Sequence, residues 1–477
     1  MRRPFSPAYI LVAAVLVAAV MFGGAALANA QSSNPSHHAE GATAPPATVA
    51  ILANFDGTNG SGPFTENLVQ GKDGNLYGTT LYGGASGDGT VFKVTPSGTL
   101  TTLHSFAGTD GENPYAGLVL GVDGNFYGTT YQGGANGDGT VFKITPASTL
   151  TTLHNFANTD GGFPACALVQ GTDKNFYGTT SYSTPTVYGS VFKITPSGTL
   201  TTLAFFNDTN GYDPLAGLVL GSDGNFYGTT GTGGTSDLGT VFKITSAGTL
   251  TSLHSFDNTD GWEPESQLIQ ATDGNFYGTT LRGGANGDGE VFKITSKGTL
   301  TVLHSFDITD GYEPNDGLVQ ATDGNLYGTT TGGGTDELGT VFEITLGGTL
   351  TTLYNFTGIT DGSTPFGGLV QHTSGVLYGV TISGGTDHLG TVFSVNAGLG
   401  PFVKLLPTSG KVGSTVTILG TNLTGITSVT FNGTSASFKK GSSTSFTATV
   451  PTGATTGFVE VVTSGGTLKS NVKFRVP

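Results

Sequence analysis

Short apolar runs alternating with polar residues recur along most of this chain, and none carries helical spacing. Residues 116–156 give the type pattern. Ala116-Gly-Leu-Val-Leu-Gly121 reads as a short apolar strand. Val122-Asp-Gly-Asn125 reads as a turn, because Asp, Gly and Asn tolerate the left-handed backbone that tight hairpins need. Phe126-Tyr-Gly-Thr-Thr130 is a second strand, followed by a loop through Gly133-Gly134 and Asp138-Gly139. Thr140-Val-Phe-Lys-Ile-Thr145 alternates, with Phe142 and Ile144 on one face and Val141 and Lys143 on the other. A turn at Pro146-Ala-Ser leads into a fourth strand over 150–156. Four short antiparallel strands in about 40–50 residues make the blade of a β-propeller.

The pattern repeats strictly. Tyr77-Gly-Thr-Thr returns at Tyr127, Tyr177, Tyr227, Tyr277 and Tyr327, and as Tyr378-Gly-Val-Thr, at intervals of 50 residues and finally 51. The last unit stops after Thr391-Val-Phe-Ser-Val395 without a fourth strand. An unpaired copy of that strand, Val49-Ala-Ile-Leu-Ala-Asn-Phe55, precedes the first unit and aligns with 100–106. The expected fold is therefore all-β: a seven-bladed β-propeller over residues 49–399, closed by its N-terminal strand. Closure removes the exposed edges of an open stack and the need for polar capping repeats. An open solenoid leaves the unpaired strand unexplained.

From about Gly400 the period ends. Runs such as Thr415-Val-Thr-Ile-Leu419, Ser428-Val-Thr-Phe431 and Phe446-Thr-Ala-Thr-Val450 alternate apolar with Thr and Ser, which predicts a small β-sandwich over 400–477 that folds alone. Two resemblances attach to these residues. The motifs Asp-Gly-Asn-Phe/Leu-Tyr-Gly-Thr-Thr, Gly-Thr-Val-Phe-Lys-Ile and Leu-Thr-Thr-Leu-His-Ser-Phe, over 49–395, resemble the GloVer tandem repeat of exported bacterial proteins. That resemblance implies surface or secreted placement and no agreed activity. Unit three departs from the pattern with Lys174 and Ser181-Tyr-Ser-Thr-Pro185, and unit seven with Ser374-Gly-Val376 and Val380. The order Pro-x-x-Gly, Gly-x-x-Val-Thr-Ile-x-Gly-x-Asn, Val-x-Phe-Asn-Gly and Val-Pro after residue 400 resembles the immunoglobulin-like IPT/TIG domain. In exported bacterial proteins that domain implies a spacer or adhesion module.

Arg2 and Arg3, an apolar run over 9–27 and Ala28-Asn-Ala30 read as a secretory signal peptide over 1–30, cleaved after Ala30. The mature chain is then expected secreted or at the cell surface without a membrane span. Residues 31–48 are polar, with His37-His38 and Pro45-Pro46, and read as a disordered leader. The whole chain carries 18 basic and 33 acidic residues, a net charge of −15. Nucleic acid and anionic lipid are thus poor partners. The single Cys166 permits no internal disulfide, so packing and sheet hydrogen bonds must supply the stability.

No cofactor loop, nucleophile motif or metal cluster stands out, and the expectation is no cofactor and no metal. The Gly133 to Gly139 stretch returns too rarely to build a calcium β-helix. His104, His154, His254 and His304 hold one repeat position in the outermost strand, shared with Ala204 and Tyr354, and are read as structural. Ligand information should lie where the repeats differ. In the loop Thr-Asp-Gly-x-x-Pro the first x reads Ser61, Glu112, Gly162, Tyr212, Trp262, Tyr312 and Ser363. Three consecutive blades present Tyr212-Asp213, Trp262-Glu263 and Tyr312-Glu313, aromatic faces beside carboxylates. Either these aromatics fill gaps above the blades or they form a ligand-binding site for carbohydrate. The first functional reading is a non-catalytic binding or adhesion protein, partnered by extracellular polysaccharide or another surface protein. The alternatives are a structural spacer, and a polysaccharide lyase or glycosidase using Glu263 and Glu313.

Overall fold

A computed structural model describes residues 47–64, 67–157, 159–181, 188–358 and 360–477. The expected signal peptide, most of the leader and the variant part of the loop in unit three (182–187) lie outside them. The described residues contain strands, turns and bends, and among them there is no helix. The repeat region forms seven four-stranded antiparallel sheets, numbered here by repeat. Sheet two runs Val119–Leu120, Phe126–Thr130, Thr140–Ile144, Leu150–Asn155, with neighbours in sequence paired in space. Sheet seven takes Val370–Gln371, Leu377–Thr381 and Thr391–Asn396 from its own repeat, and its outer strand is Thr48–Asn54. That strand pairs antiparallel from Thr48 opposite Asn396 to Asn54 opposite Thr391.

The alternation expected of the third strand underestimates its burial. Val141, Phe142 and Ile144 are all fully buried, because each sheet is covered on both faces by its neighbours. One face of sheet one, with Tyr77, Val91 and Phe106, packs on Leu118, Phe126, Phe142 and Ile144 of sheet two. The same apolar layer recurs between every consecutive pair of sheets. It also joins sheet seven to sheet one, where Tyr378, Val380 and Val392 meet Phe55, Leu68, Leu76 and Phe92. Within these layers Tyr77 stacks on Phe126 at 4.0 Å and 28°, a pair repeated by Tyr127–Phe176, Tyr177–Phe226 and Tyr227–Phe276. Each phenol hydroxyl reaches its own turn, Tyr127 donating to Asp123 Oδ2 at 2.8 Å. Inner-strand glutamines tie neighbouring sheets: Gln170 accepts the N–H of Val122, Gln270 that of Ser222, and Gln70 that of Thr373 in sheet seven.

The glycine after each of these tyrosines serves its own sheet. A Cβ on Gly228 would stand 2.7 Å from Phe242 Cζ and 2.9 Å from Leu218 Cδ2. The missing side chain makes room for the phenylalanine directly across the strand pair. Gly228→Ala is expected to cost about 1–3 kcal/mol by overpacking, read as a lowered denaturation midpoint.

Residues 404–469 form two further four-stranded sheets around a core of Val416, Ile418, Phe431, Val459 and Val461. The sandwich does not hang free of the repeats, and the described residues from 47 to 477 hold together as one unit. Successive residues of a strand face opposite ways. Leu405 and Ile418 enter the sandwich core, while Leu406 and Leu419 join the layer between sheets one and two. Thr444 Oγ1 donates to the Lys72 carbonyl at 2.8 Å, the Thr373 and Thr421 hydroxyls meet at 3.0 Å, and Arg475 Nη1 donates to the Ser222 carbonyl at 2.6 Å. These contacts reach the turns between first and second strands in sheets one, seven and four. Leu419→Ala is expected to cost about 2–5 kcal/mol and to lower the melting of the repeat region together with the sandwich. A loss seen only in sandwich signals would show that the seam contributes nothing to the repeats.

Candidate functional site

At the end of the sheets away from the sandwich, two loops of each repeat come together. The loop leaving the second strand pairs with the loop that enters the repeat: Tyr212 bridges Thr232, Trp262 bridges Arg282 and Tyr312 bridges Gly332. The glycine before each aromatic is obligatory. Gly261 has φ +106°, and a Cβ there would run into the Thr280 side chain. The residue after each aromatic is left-handed in turn, with φ 58° at Asp213, 53° at Glu263 and 51° at Glu313. Asn113, Phe163 and Thr364 share this conformation. Such backbone is strained for residues with side chains and persists only when clamped. Here the clamp is visible: Glu263 N–H donates to Leu238 O of the preceding repeat at 3.2 Å, and its carbonyl accepts Leu281 N–H at 3.0 Å.

The left-handed turn and the proline after it redirect the chain, so the three predicted pairs split in two. Tyr212, Trp262 and Tyr312 lie over the return loops of their own repeats, each partly exposed. Tyr312 covers Gly332, and Tyr212 stands 5.2 Å from Tyr188. Among the described residues no ring contact joins the three to one another. The acids do converge. Burial raises the Asp213 carboxyl to about 6. Glu263 is raised by burial and by the charge of Glu313, opposed by Arg282. Arg282 Nη2 lies 3.2 Å from Glu313 Oε1, with the guanidinium 6.0 Å from the Trp262 ring centre.

Two further sets of residues, missed in the sequence, complete this end. Glu265, directly after Pro264, is pushed up to about 8, first by burial and then by the charges of Glu263 and Asp213. Asp213 and Glu265 both keep some solvent contact. The second set is an aromatic row. Phe366 meets Phe64 at 4.4 Å, Phe64 meets Tyr115 at 5.3 Å, Tyr115 meets Tyr131 at 6.2 Å and Tyr131 meets Phe163 at 5.3 Å. The charge of Asp213 helps burial hold the Tyr131 phenol up at about 12, which places the row within electrostatic reach of the acids. The available signal was the residue after each loop proline, which reads Phe64, Tyr115, Ala165, Leu215, Glu265, Asn315 and Phe366.

The histidines are structural for a reason now visible. His104 Nε2 lies 2.8 Å from Asp110, His154 2.9 Å from Asp160, His254 2.7 Å from Asp260 and His304 2.8 Å from Asp310. Each pair fastens the outer strand to the loop that follows. Tyr354 donates to Asp361 in the same place, and where Ala204 replaces His the acid is replaced too, by Asn210. Two clefts of 360 and 320 Å³ lie beside the sandwich, lined mostly by Ser, Thr, Gly and Lys. Neither gathers aromatic rings or carboxylates.

Known proteins agree with this architecture. Solved structures of similar shape include virginiamycin B lyase from Staphylococcus aureus, at 13% identity and TM-score 0.51 over 73% of this chain and 98% of that one. A fungal alcohol oxidase in complex with copper matches at 15% and 0.51 over 90% and 98%, and the lectin BP39L from Burkholderia pseudomallei at 11% and 0.50 over 70% and 97%. At these identities the likeness shows a β-propeller-like fold alone. A comparison with curated proteins returns no match. The sequence profile of the IPT/TIG domain matches residues 402–476, and that of the Gloeobacter/Verrucomicrobia repeat matches 42–222 and 175–393. The chain belongs to the Gloeobacter/Verrucomicrobia repeat family and ends in an IPT/TIG domain.

Proposed function

We propose that this is an exported or cell-surface binding protein whose loop face holds polysaccharide. In this reading the seven sheets are the blades of a closed ring, and Thr48–Asn54 fastens the last blade. The shared apolar layer of sheets seven and one supports that. The observation that carries the binding reading is the pairing of rings with acids at the loop end. The row Phe366, Phe64, Tyr115, Tyr131, Phe163 reaches the charge of Asp213 through Tyr131, and Asp213 in turn shares a field with Glu263, Glu265 and Glu313. Ring faces stack on the C–H faces of pyranoses, and carboxylates accept sugar hydroxyls. Tyr212, Trp262 and Tyr312 add partly exposed rings at the same loops. The net charge disfavours nucleic acid as the partner.

Trp262 is the single tryptophan of the chain, so its emission reports on this face without background. Titration with soluble glucans, xylans and pectins is expected to shift that emission and reduce quenching. Trp262→Ala is expected to weaken binding by roughly 1–3 kcal/mol while the melting temperature stays nearly unchanged. Lost stability with unchanged binding would make Trp262 a packing residue.

A second reading rests on one observation. Burial pushes Glu265 up to about 8 and Asp213 up to about 6, and the two carboxyls lie within reach of each other's charge. General acid–base catalysis uses such a pair. Release of reducing ends from the same polysaccharides would establish a glycosidase or lyase. Binding without release keeps the non-catalytic reading.

A further inference from the structure

Six of the seven repeats set two hydroxyls opposite each other across the second and third strands. Thr80–Thr90, Thr130–Thr140, Thr180–Ser190, Thr230–Thr240, Thr330–Thr340 and Thr381–Thr391 all bond at 2.8–2.9 Å. Repeat five breaks the rule by placing Glu290 opposite Thr280. Glu290 is 1% exposed. Its Oε1 accepts from Ser305 Oγ at 2.8 Å, and its Oε2 and the Thr280 hydroxyl are both buried without a partner. Gly284 leaves the space this carboxylate fills, since a Cβ there would collide with it.

A third oxygen belongs to the same place. In three other repeats the third-strand hydroxyl also donates to the carbonyl just before the loop glycine: Thr90 to Asn59, Thr240 to Asn210 and Thr340 to Asp310. Thr102 and Thr202 of the outer strands reach the equivalent carbonyls of Asn59 and Asp160. In repeat five that carbonyl is Asp260's, and both donors are gone, with Glu290 and Val302 in their positions. Repeat five has therefore exchanged donors for acceptors around one buried spot. A carboxylate shut away from water needs a partner to offset its lost hydration.

We propose that Glu290 Oε2, the Thr280 hydroxyl and the Asp260 main-chain carbonyl hold a monovalent alkali cation, sodium or potassium, inside repeat five. An oxygen-only set selects a hard cation. One carboxylate balances one monovalent charge, whereas calcium commonly draws on several acids and magnesium demands a near-ideal octahedron. The Asp260 carboxylate is already engaged by His254 at 2.7 Å and by the N–H of Asp257 at 3.0 Å. Among the described residues no group of three or more His, Cys, Asp or Glu is placed to hold a metal, so a multi-acid divalent site is not built here. The site lies within one sheet, distinct from the acids at the loop end.

Thermal melts of the protein at pH 7.5 test this, with tetramethylammonium chloride replaced by sodium or potassium chloride at constant ionic strength. The wild-type melting temperature is expected to rise by roughly 2–4 °C and to saturate. Glu290→Thr restores the hydroxyl pair of the other repeats, so it should fold, melt no lower than wild type and show no cation response. Glu290→Gln keeps the shape and loses the charge, and should also lose the response. Parallel shifts in wild type and either variant overturn the proposal. So does a response to calcium alone, or stabilisation by acid with no cation response, which would make Glu290 a buried neutral acid.

Discussion

Deleting residues 47–56 is expected to abolish cooperative unfolding of the repeat region, while deleting 31–45 changes nothing measurable. The outer strand of sheet seven is Thr48–Asn54, paired at six positions with Thr391–Asn396. Without it, Thr391–Asn396 presents a bare edge that invites aggregation. Phe55, fully buried and 5.2 Å from Phe92, would be lost as well, exposing Val380 and Val392. Phe55→Ala alone is expected to cost about 3–5 kcal/mol, because the hole lies where sheets seven and one meet. The strand joins residues more than three hundred positions apart, so the proposed closure is the slowest contact to form. The truncated chain should therefore also refold with visible aggregation. Superimposable melting curves for the two deletions would refute the closed ring and favour an open stack.

Strands and turns were legible in this chain because each is fixed locally. Asp-Gly-Asn specifies the hairpin, alternation marks the third strand, and a surplus copy of the fourth strand announces a partner elsewhere. What lay across the chain was harder to read. The face of Val141 looked half-polar beside Lys143, yet a stacked neighbour buries it. The seam with the sandwich had a signal in the neighbouring pairs Leu405-Leu406 and Ile418-Leu419, apolar on both faces of paired strands. A free sandwich needs only one such face, so the second leucine of each pair marked a docking surface. At the loop end, variation between repeats drew attention to Tyr212-Asp213, Trp262-Glu263 and Tyr312-Glu313, the middle pair ending two residues before Glu265. The left-handed turn at Asp213, Glu263 and Glu313 separates the aromatic before it from the acid, and brings the residue after the proline into the site. Backbone of that sign at an acidic residue has no compositional signature, so only the variation at the residue after the loop proline marked Glu265.

Glu265→Gln is expected to stabilise the protein increasingly as pH rises from 5 to about 8, and to hold that gain above it. The carboxyl titrates near 8 in the folded chain against an ordinary 4.5, raised by burial and by Glu263 and Asp213. Between those values the folded state binds a proton that the unfolded state has released, so stability falls with rising pH across the window. The penalty is absent below about 4.5 and complete above about 8. A tenfold difference in proton affinity between the folded and unfolded chains is worth about 1.4 kcal/mol, but the side chain keeps solvent contact, and discounting for that leaves roughly 1–3 kcal/mol. Wild type and Glu265→Gln should therefore melt together near pH 4.5 and separate by several degrees at pH 9. Lys404 and His372, both lowered by burial, lose stability in the opposite direction, as pH falls. The difference between variant and wild type, not the raw curve, thus isolates Glu265. Asp213→Asn should give a smaller divergence complete by about pH 6, where its carboxyl titrates. A flat difference for both would mean that these carboxylates are neither buried nor within reach of each other's charge. If the loop end is catalytic instead, the same two groups set its pH profile. Turnover would rise through about 6 as Asp213 ionises and fall through about 8 as Glu265 loses its proton. Glu265→Gln would then remove activity at every pH while still raising stability at the alkaline end.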